Sequence, residues 1–143
     1  MYRIFRLKLI GLFSAALMAS GAGAQTYTTA AEVKPILSMT KPNWIAVREW
    51  DGADLIYFTN ALSWRCGVTE IRYGVNGAAP DQVLAMEPCY ETEAAPNALK
   101  MDGGILPYIT LPLGSVQTVS VLMIYDDGTE EPADYARAAV LIP

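Results

Sequence analysis

The sequence predicts a mainly β protein: a single antiparallel β-sandwich of about seven short strands with one short N-terminal helix. From residue 44 onward, runs of strand-forming residues alternate with turn signals every eight to twelve residues, which is typical of sandwiches. Helical periodicity is confined to the segment before residue 44. The chain of 143 residues also suits one ordinary domain better than two. A small β-barrel is the competing architecture.

Residues 1–24 have the pattern of a cleaved signal peptide. Residues 9–18 are apolar and uncharged, residues 22–24 are small, and three basic residues come first, at Arg3, Arg6 and Lys8. The apolar run is shorter than the roughly 20 residues of a membrane span, and no cysteine lies near residue 24 to carry a lipid. We therefore expect export to the periplasm of a Gram-negative bacterium, or secretion, with no membrane anchor after cleavage.

The predicted mature chain, residues 25–143, is acidic. It keeps seven of the ten Lys and Arg residues and all fifteen Asp and Glu residues, so its net charge is about −8. Without a basic run, we expect no binding to nucleic acid or to anionic lipid. The chain has no histidine, which excludes histidine-based catalysis and the usual zinc sites.

The mature chain divides into an N-terminal segment, 25–43, and a sandwich domain, 44–143. Thr29 and Glu32 have the spacing of a capping box at a helix start. Apolar residues then recur at helical spacing, although Pro35 removes one backbone donor. The pattern predicts a short helix around residues 29–40.

Seven segments of the sandwich domain have the composition of short strands: 44–50, 55–59, 68–75, 81–87, 105–111, 116–126 and 137–142. The third alternates most clearly, with one face predicted to carry Thr69, Ile71, Tyr73 and Val75. Asn76-Gly77 and Asp127-Gly128 supply residues that tolerate the positive φ of tight hairpin turns.

Cys66 and Cys89 are the only cysteines of the chain. In an oxidising compartment, we expect them to form one intramolecular disulfide. A redox-active or metal-binding pair is the alternative, but the chain has neither C-x-x-C spacing nor histidine.

The order of these elements resembles the immunoglobulin and fibronectin type III class of sandwiches. The segment 69–77 is similar to a strand that leads into a tight hairpin, and 119–132 is similar to the last hairpin of such modules. The resemblance covers roughly residues 44–143 and implies a binding or spacer module. It departs from the antibody plan because the cysteines are only 23 positions apart.

Two acidic pairs could bind calcium weakly: Asp51 with Asp54, and Asp126 with Asp127. Calcium needs about six to eight oxygen ligands, and the backbone demands of Asp-Gly turns explain the same residues without a metal. We expect no other metal site and no cofactor, and we assign no catalytic residue. A hydrolase that uses two carboxylates across a groove is a less favoured alternative, since the spacing of the acids selects no pair.

Three tryptophans and one arginine are the candidate contacts for a ligand or partner: Trp44, Trp50, Trp64 and Arg65. Exposed aromatic rings could form a protein-binding surface or a glycan platform, and core packing is the favoured explanation of the same rings. Arg65 is expected to stack on an aromatic ring or to pair with a carboxylate such as Glu70 or Glu87.

These observations favour a small exported, non-enzymatic interaction module that binds another envelope or extracellular protein. The alternative is a carbohydrate or cell-wall ligand-binding module that uses exposed Trp and Tyr side chains. The two interpretations differ in whether at least two tryptophans lie exposed and coplanar.

The mature protein is predicted to begin at Gln25. Intact-mass spectrometry and N-terminal sequencing of the protein secreted by an expression host should show the loss of residues 1–24. A chain that keeps these residues, or begins elsewhere, would contradict the predicted cleavage site.

Overall fold

The computed structural model describes residues 25–143, and the predicted signal peptide lies outside them. Three short helices lie among the strands: α1 (Ala30–Met39), α2 (Thr59–Leu62) and α3 (Arg137–Val140). Two single 3-10 turns span Lys41–Asn43 and Arg65–Gly67. Within residues 25–143, no helix is long and apolar enough to cross a membrane.

Eight strands form two four-stranded sheets, and the protein is mainly β. The strands are β1 (Ala46–Trp50), β2 (Ala53–Tyr57), β3 (Val68–Val75), β4 (Gln82–Val83), β5 (Tyr108–Pro112), β6 (Thr118–Tyr125), β7 (Glu130–Ala136) and β8 (Leu141–Ile142). The first sheet has the order β5-β2-β1-β8, and the second sheet has the order β4-β3-β6-β7. All neighbours are antiparallel except β1 and β8, which are parallel.

One hydrophobic core lies between the two sheets, as in a β-sandwich. Val47 and Ile56 of the first sheet and Ile71 and Val121 of the second are all fully or almost fully buried in it. Alternate residues of each strand point to one face, so Val119, Val121, Met123 and Tyr125 of β6 are buried together.

The predicted N-terminal helix is present as α1, with Pro35 inside it. The Glu32 carboxylate accepts hydrogen bonds from the backbone N–H of Thr28 (2.9 Å) and of Thr29 (3.1 Å), which satisfies donors at the helix start. The backbone N–H of Ala30 donates to Asp126 of the β6–β7 hairpin over 2.9 Å. The helix therefore packs on the sandwich instead of projecting from it.

The observed strands differ most from the predicted segments at three places. The segment 81–87 pairs only at Gln82–Val83, and 137–142 begins with α3 before the two residues of β8. Strand β7 was not predicted, because Pro132 and several acidic residues are not typical of a strand. It is an edge strand, where such residues are tolerated, and its buried side chains are Ala133 and Tyr135.

The turn predictions agree better with the structure. Asn76 and Gly77 both adopt positive φ, at 56° and 83°. Asp51 and Gly52, at 49° and 74°, form the two-residue turn between β1 and β2. This turn fixes the register of the β1–β2 hairpin, so Trp50 lies opposite Ala53 and Arg48 opposite Leu55.

A buried ion pair joins the first sheet to the connection between β7 and β8. The Asp54 carboxylate of β2 is fully buried and accepts hydrogen bonds from Arg137 Nη1 (2.5 Å) and Nη2 (3.0 Å). It also accepts from the backbone N–H groups of Gly114 and Val116, each over 3.0 Å. The Arg137 guanidinium and these backbone donors hold the pKa of Asp54 well below its ordinary value, although burial opposes this shift.

We expect Asp54→Asn to lower the free energy of unfolding by about 3–5 kcal/mol at pH 7, because it leaves Arg137 without its buried partner. The folded-state pKa of Asp54 is depressed, so its contribution is full above the unfolded-state pKa of about 3.9 and is lost as the pH falls towards the folded-state pKa. Urea denaturation should therefore show a smaller difference between the variant and the parent at pH 3 than at pH 7.

Asp51→Asn is the matched control, since Asp51 is an exposed turn residue and asparagine also tolerates its positive φ. It should leave stability nearly unchanged at both pH values. Equal losses for the two variants would contradict the assigned role of Asp54.

Candidate functional site

The predicted disulfide between Cys66 and Cys89 is present. Their Cα atoms are 4.9 Å apart, and no cysteine of residues 25–143 is free. The bond joins the 3-10 turn before β3 to the irregular segment after β4. Next to it, the Cys66 N–H donates to Asn97 Oδ1 over 2.8 Å, and Asn97 Nδ2 donates to the Tyr27 carbonyl over 2.8 Å.

Arg65 is buried, with 2% of its surface exposed, so it is not available as a surface contact for a ligand. Its guanidinium donates to five backbone carbonyls, at 2.5–3.4 Å: those of Leu62, Glu87, Pro88, Asn97 and Ala98. The expected aromatic partner is Tyr90, whose ring centre lies 5.4 Å from the guanidinium carbon. Of the two expected carboxylate partners, Glu70 pairs with Arg72 instead.

The Glu87 carboxylate completes the same cluster. It accepts hydrogen bonds from the backbone N–H groups of Lys100 (2.9 Å) and Met101 (2.7 Å) and from the Tyr90 hydroxyl (2.7 Å). Burial alone would raise the pKa of Glu87, but these hydrogen bonds outweigh burial and lower it. The hydrogen bond to Glu87 raises the pKa of Tyr90 to about 12. Arg65 and Glu87 therefore order an irregular segment and leave no free group for chemistry.

The three tryptophans do not form one platform. Trp44 is fully buried, and its Nε1 donates to the Leu37 carbonyl over 2.8 Å. Because β1 begins only at Ala46, strand alternation does not extend to Trp44 and does not place it beside Trp50. Trp64 packs against the core and meets the Tyr27 ring edge-on at 5.2 Å. Trp50 is 57% exposed.

The acids considered for calcium have other partners. Asp54 is used by Arg137 and two backbone N–H groups, so it has no oxygen available for a metal. Asp126 accepts from the start of α1, and Asp127 accepts from Thr129 and from Lys34. Asp51 is exposed at its turn. In residues 25–143, no three His, Cys, Asp or Glu side chains are grouped to hold a metal ion.

The main surface depressions of residues 25–143 do not pair carboxylates. Of five, two contain one acid each, Asp134 and Glu87, and three contain none. A glycoside hydrolase needs two carboxylates that face each other across a groove. None of these depressions supplies that pair.

The outer face of the first sheet is the surface with the most unusual composition. We call it the aromatic face, and strand register places on it Ala46, Arg48, Trp50, Ala53, Leu55, Tyr57, Tyr108, Thr110 and Pro112. The Tyr57 and Tyr108 rings are 5.2 Å apart, and the Arg48 guanidinium carbon is 4.4 Å from the Trp50 ring centre. Leu55 is buried by these neighbours although it lies outside the core.

The outer face of the second sheet is different. Strand register places four charged residues on it: Glu70, Arg72, Glu130 and Asp134. Arg72 pairs there with Glu70, and Asp134 accepts a hydrogen bond from Ser120 over 2.6 Å. The aromatic face carries a single charged residue, Arg48.

Arg48, Tyr57 and Tyr108 were not among the residues selected from the sequence. The sequence did hold a signal for the positions of Arg48 and Tyr57, namely the Asp51-Gly52 turn. This turn fixes a register that brings residues 46, 48 and 50 opposite 57, 55 and 53. Tyr108 had no such signal, since β5 joins β2 after a separation of 50 residues.

A depression of about 360 Å³ opens beside Arg48 at the edge of the aromatic face. We call it the Arg48 pocket, and its lining is Asn43, Trp44, Ile45, Ala46, Arg48, Tyr57, Thr59, Asn60 and Ile142. A second depression, of about 530 Å³, shares five of these residues and extends to Trp64. Together they form a groove whose lining holds no acid.

Arg65→Met should lower the free energy of unfolding by roughly 3 kcal/mol or more, because each buried carbonyl left without a donor costs about 1–3 kcal/mol. Arg72→Met removes only a partly exposed ion pair and should cost less than about 1 kcal/mol. Urea denaturation of both variants measures the difference. Similar losses would contradict the structural role given to Arg65.

No family model, curated protein or solved structure matches this chain. The candidate residues are therefore assigned from their geometry in this chain.

Proposed function

We propose that this protein is a small exported, non-enzymatic interaction module that binds another envelope or extracellular protein through the aromatic face. The observation that carries the proposal is the contrast between the two outer faces. One face carries four charged residues, of which Arg72 and Glu70 form an ion pair. The other exposes Trp50 over Arg48, its single arginine, at one end and carries Tyr57 and Tyr108 at the other end.

The composition of the aromatic face supports binding to a protein. Trp, Tyr and Arg are the residues most enriched at the energetically important centres of protein interfaces. They supply a large contact area with few rotatable bonds, and exposed apolar patches of this kind mark binding surfaces. Here these side chains lie on paired strands of a sheet, so their backbone needs no ordering before a partner binds.

The strand order supports a fold of the immunoglobulin and fibronectin type III class. Strands β5-β2-β1 correspond to E-B-A, and β4-β3-β6-β7 correspond to C′-C-F-G, of that class. Strand β8, parallel to β1, is an addition. Many modules of this architecture serve in cell-surface recognition, although fold similarity alone is a weak argument for function.

The location proposed for the protein is the periplasm or the extracellular space. A structural disulfide is typical of proteins outside the reducing cytosol. The signal-peptide pattern of residues 1–24 supports the same location.

Carbohydrate binding is the second candidate function, supported by Trp50 with Tyr57 and Tyr108 on one face. It is less favoured, because Trp44 is buried and Trp64 packs against the core beside Tyr27. A carboxylate-dependent hydrolase is less favoured still, since the main depressions do not bring two acids together.

A photo-crosslinking amino acid at Thr110 tests the proposal in cells that export the protein. Thr110 is exposed on the aromatic face. We expect a discrete adduct with a protein, identified by mass spectrometry, that disappears when Trp50→Ala is added.

Thr118 provides the matched control, because it is an exposed strand threonine on the outer face of the second sheet. The same crosslinker there should give no such adduct. The proposal fails if both positions capture the same proteins, if Trp50→Ala has no effect, or if neither position captures a protein.

A further inference from the structure

We infer that the Arg48 pocket binds a carboxylate side chain, Asp or Glu, on an extended segment of the partner protein. This inference rests on the proposed function and specifies the chemistry of the partner. It is carried by the charge pairing of the domain, the environment of Arg48 and the lining of the groove.

Arg48 is the exception among the cationic side chains of residues 25–143. Of the seven, three lysines and two arginines form ion pairs with acids, and Arg65 donates to backbone carbonyls. Arg48 forms neither kind of contact within these residues, although acids outnumber bases by fifteen to seven. Its unpaired state is a consequence of its position, because its neighbours on the aromatic face are apolar, aromatic or hydroxylic.

The guanidinium is also partly removed from water. Its Nε is buried and has no hydrogen-bond partner, while the Trp50 ring covers the group at 4.4 Å. A buried donor without a partner costs free energy. Unlike Nε, the two Nη groups are not buried and have no partner, so an incoming carboxylate would accept two parallel hydrogen bonds from them. In these surroundings a charge-assisted bond is stronger than in water.

The lining of the pocket fits an acidic group. Its polar residues other than Arg48 are neutral, namely Asn43, Tyr57, Thr59 and Asn60, and no carboxylate of the lining opposes a bound anion. Ala46 and Ile142 are apolar members of its lining. The pocket therefore has one positive charge, hydrogen-bonding groups and no repulsive acid.

The neighbouring depression favours a peptide over an isolated small acid. It is lined largely by apolar residues, including Ile45, Trp64 and Val140, and it shares its border with the Arg48 pocket. An extended segment could therefore place an acidic side chain beside Arg48 and an apolar side chain in this depression. A uronate sugar would use the guanidinium but would leave the apolar depression empty.

NMR titration of the ¹⁵N-labelled mature protein tests this inference with N-acetyl-Leu-Glu-amide as the probe. The matched neutral probe is N-acetyl-Leu-Gln-amide, and glucuronate is the sugar acid. We expect saturable shifts of the Arg48 Nε–Hε signal and of the Asn60 amide with the Glu peptide. The Gln peptide should bind on the order of tenfold more weakly, and glucuronate should bind more weakly than the Glu peptide, because it leaves the apolar depression empty.

Arg48→Gln should abolish the Asn60 shifts while its spectrum shows an intact fold. Arg72→Gln, which removes an arginine from the opposite face, should leave them unchanged. Equal binding of the Glu and Gln peptides, binding of glucuronate alone, binding that survives Arg48→Gln, or no binding of any probe would each overturn the inference.

The crosslinking experiment separates this inference from the proposed function. If the adduct at Thr110 forms but the peptides fail to bind, the aromatic face binds a protein and the assignment of a carboxylate to Arg48 is overturned. If the Glu peptide binds as expected and no adduct forms, the pocket stands as a carboxylate site and the proposed protein partner is overturned.

Discussion

Much of this structure depends on the hydrogen bonds that the Arg65 guanidinium donates to backbone carbonyls. Most of the chain between β4 and β5 pairs with no strand, yet part of it lies against the core. Buried carbonyls need donors, and one side chain supplies them to four residues of this segment and to Leu62 of α2. The adjacent disulfide and Glu87 hold the same segment from either side. An apparent candidate for ligand binding is therefore a structural element.

The outer faces of the two sheets differ in how their charged and aromatic side chains are used. Most charged groups have partners within the domain: Asp54 pairs with Arg137, Glu87 accepts from backbone donors, and Arg72 pairs with Glu70. The aromatic face departs from this pattern, because its only cation is unpaired and its rings are not withdrawn into the core. Presentation on a sheet lowers the entropic cost of binding, which supports the proposal that this face binds a partner.

Local features of the sequence predicted local features of the structure. Thr29 and Glu32 marked the start of the helix even with Pro35 inside it, and Asn76-Gly77 marked a turn. The prediction of strand β7 failed because an edge strand with Pro132 lacks the usual composition. Arg65 was expected to contact Glu87, but its bonds run to the backbone carbonyl instead of the carboxylate. Composition does not specify which oxygen a side chain will reach.

The sequence by itself determined the mainly β class, the one N-terminal helix and the pairing of the two cysteines, because each depends on local periodicity, turn chemistry or counting. Only the tertiary structure decided which side chains remain free. Trp44 and Trp50 look alike in sequence, yet one is buried beneath Leu37 and the other is exposed over Arg48. That difference, and the isolation of Arg48 from fifteen acids, depends on which strands become neighbours. Contacts between distant segments set burial and ion pairing, and no local pattern encodes them.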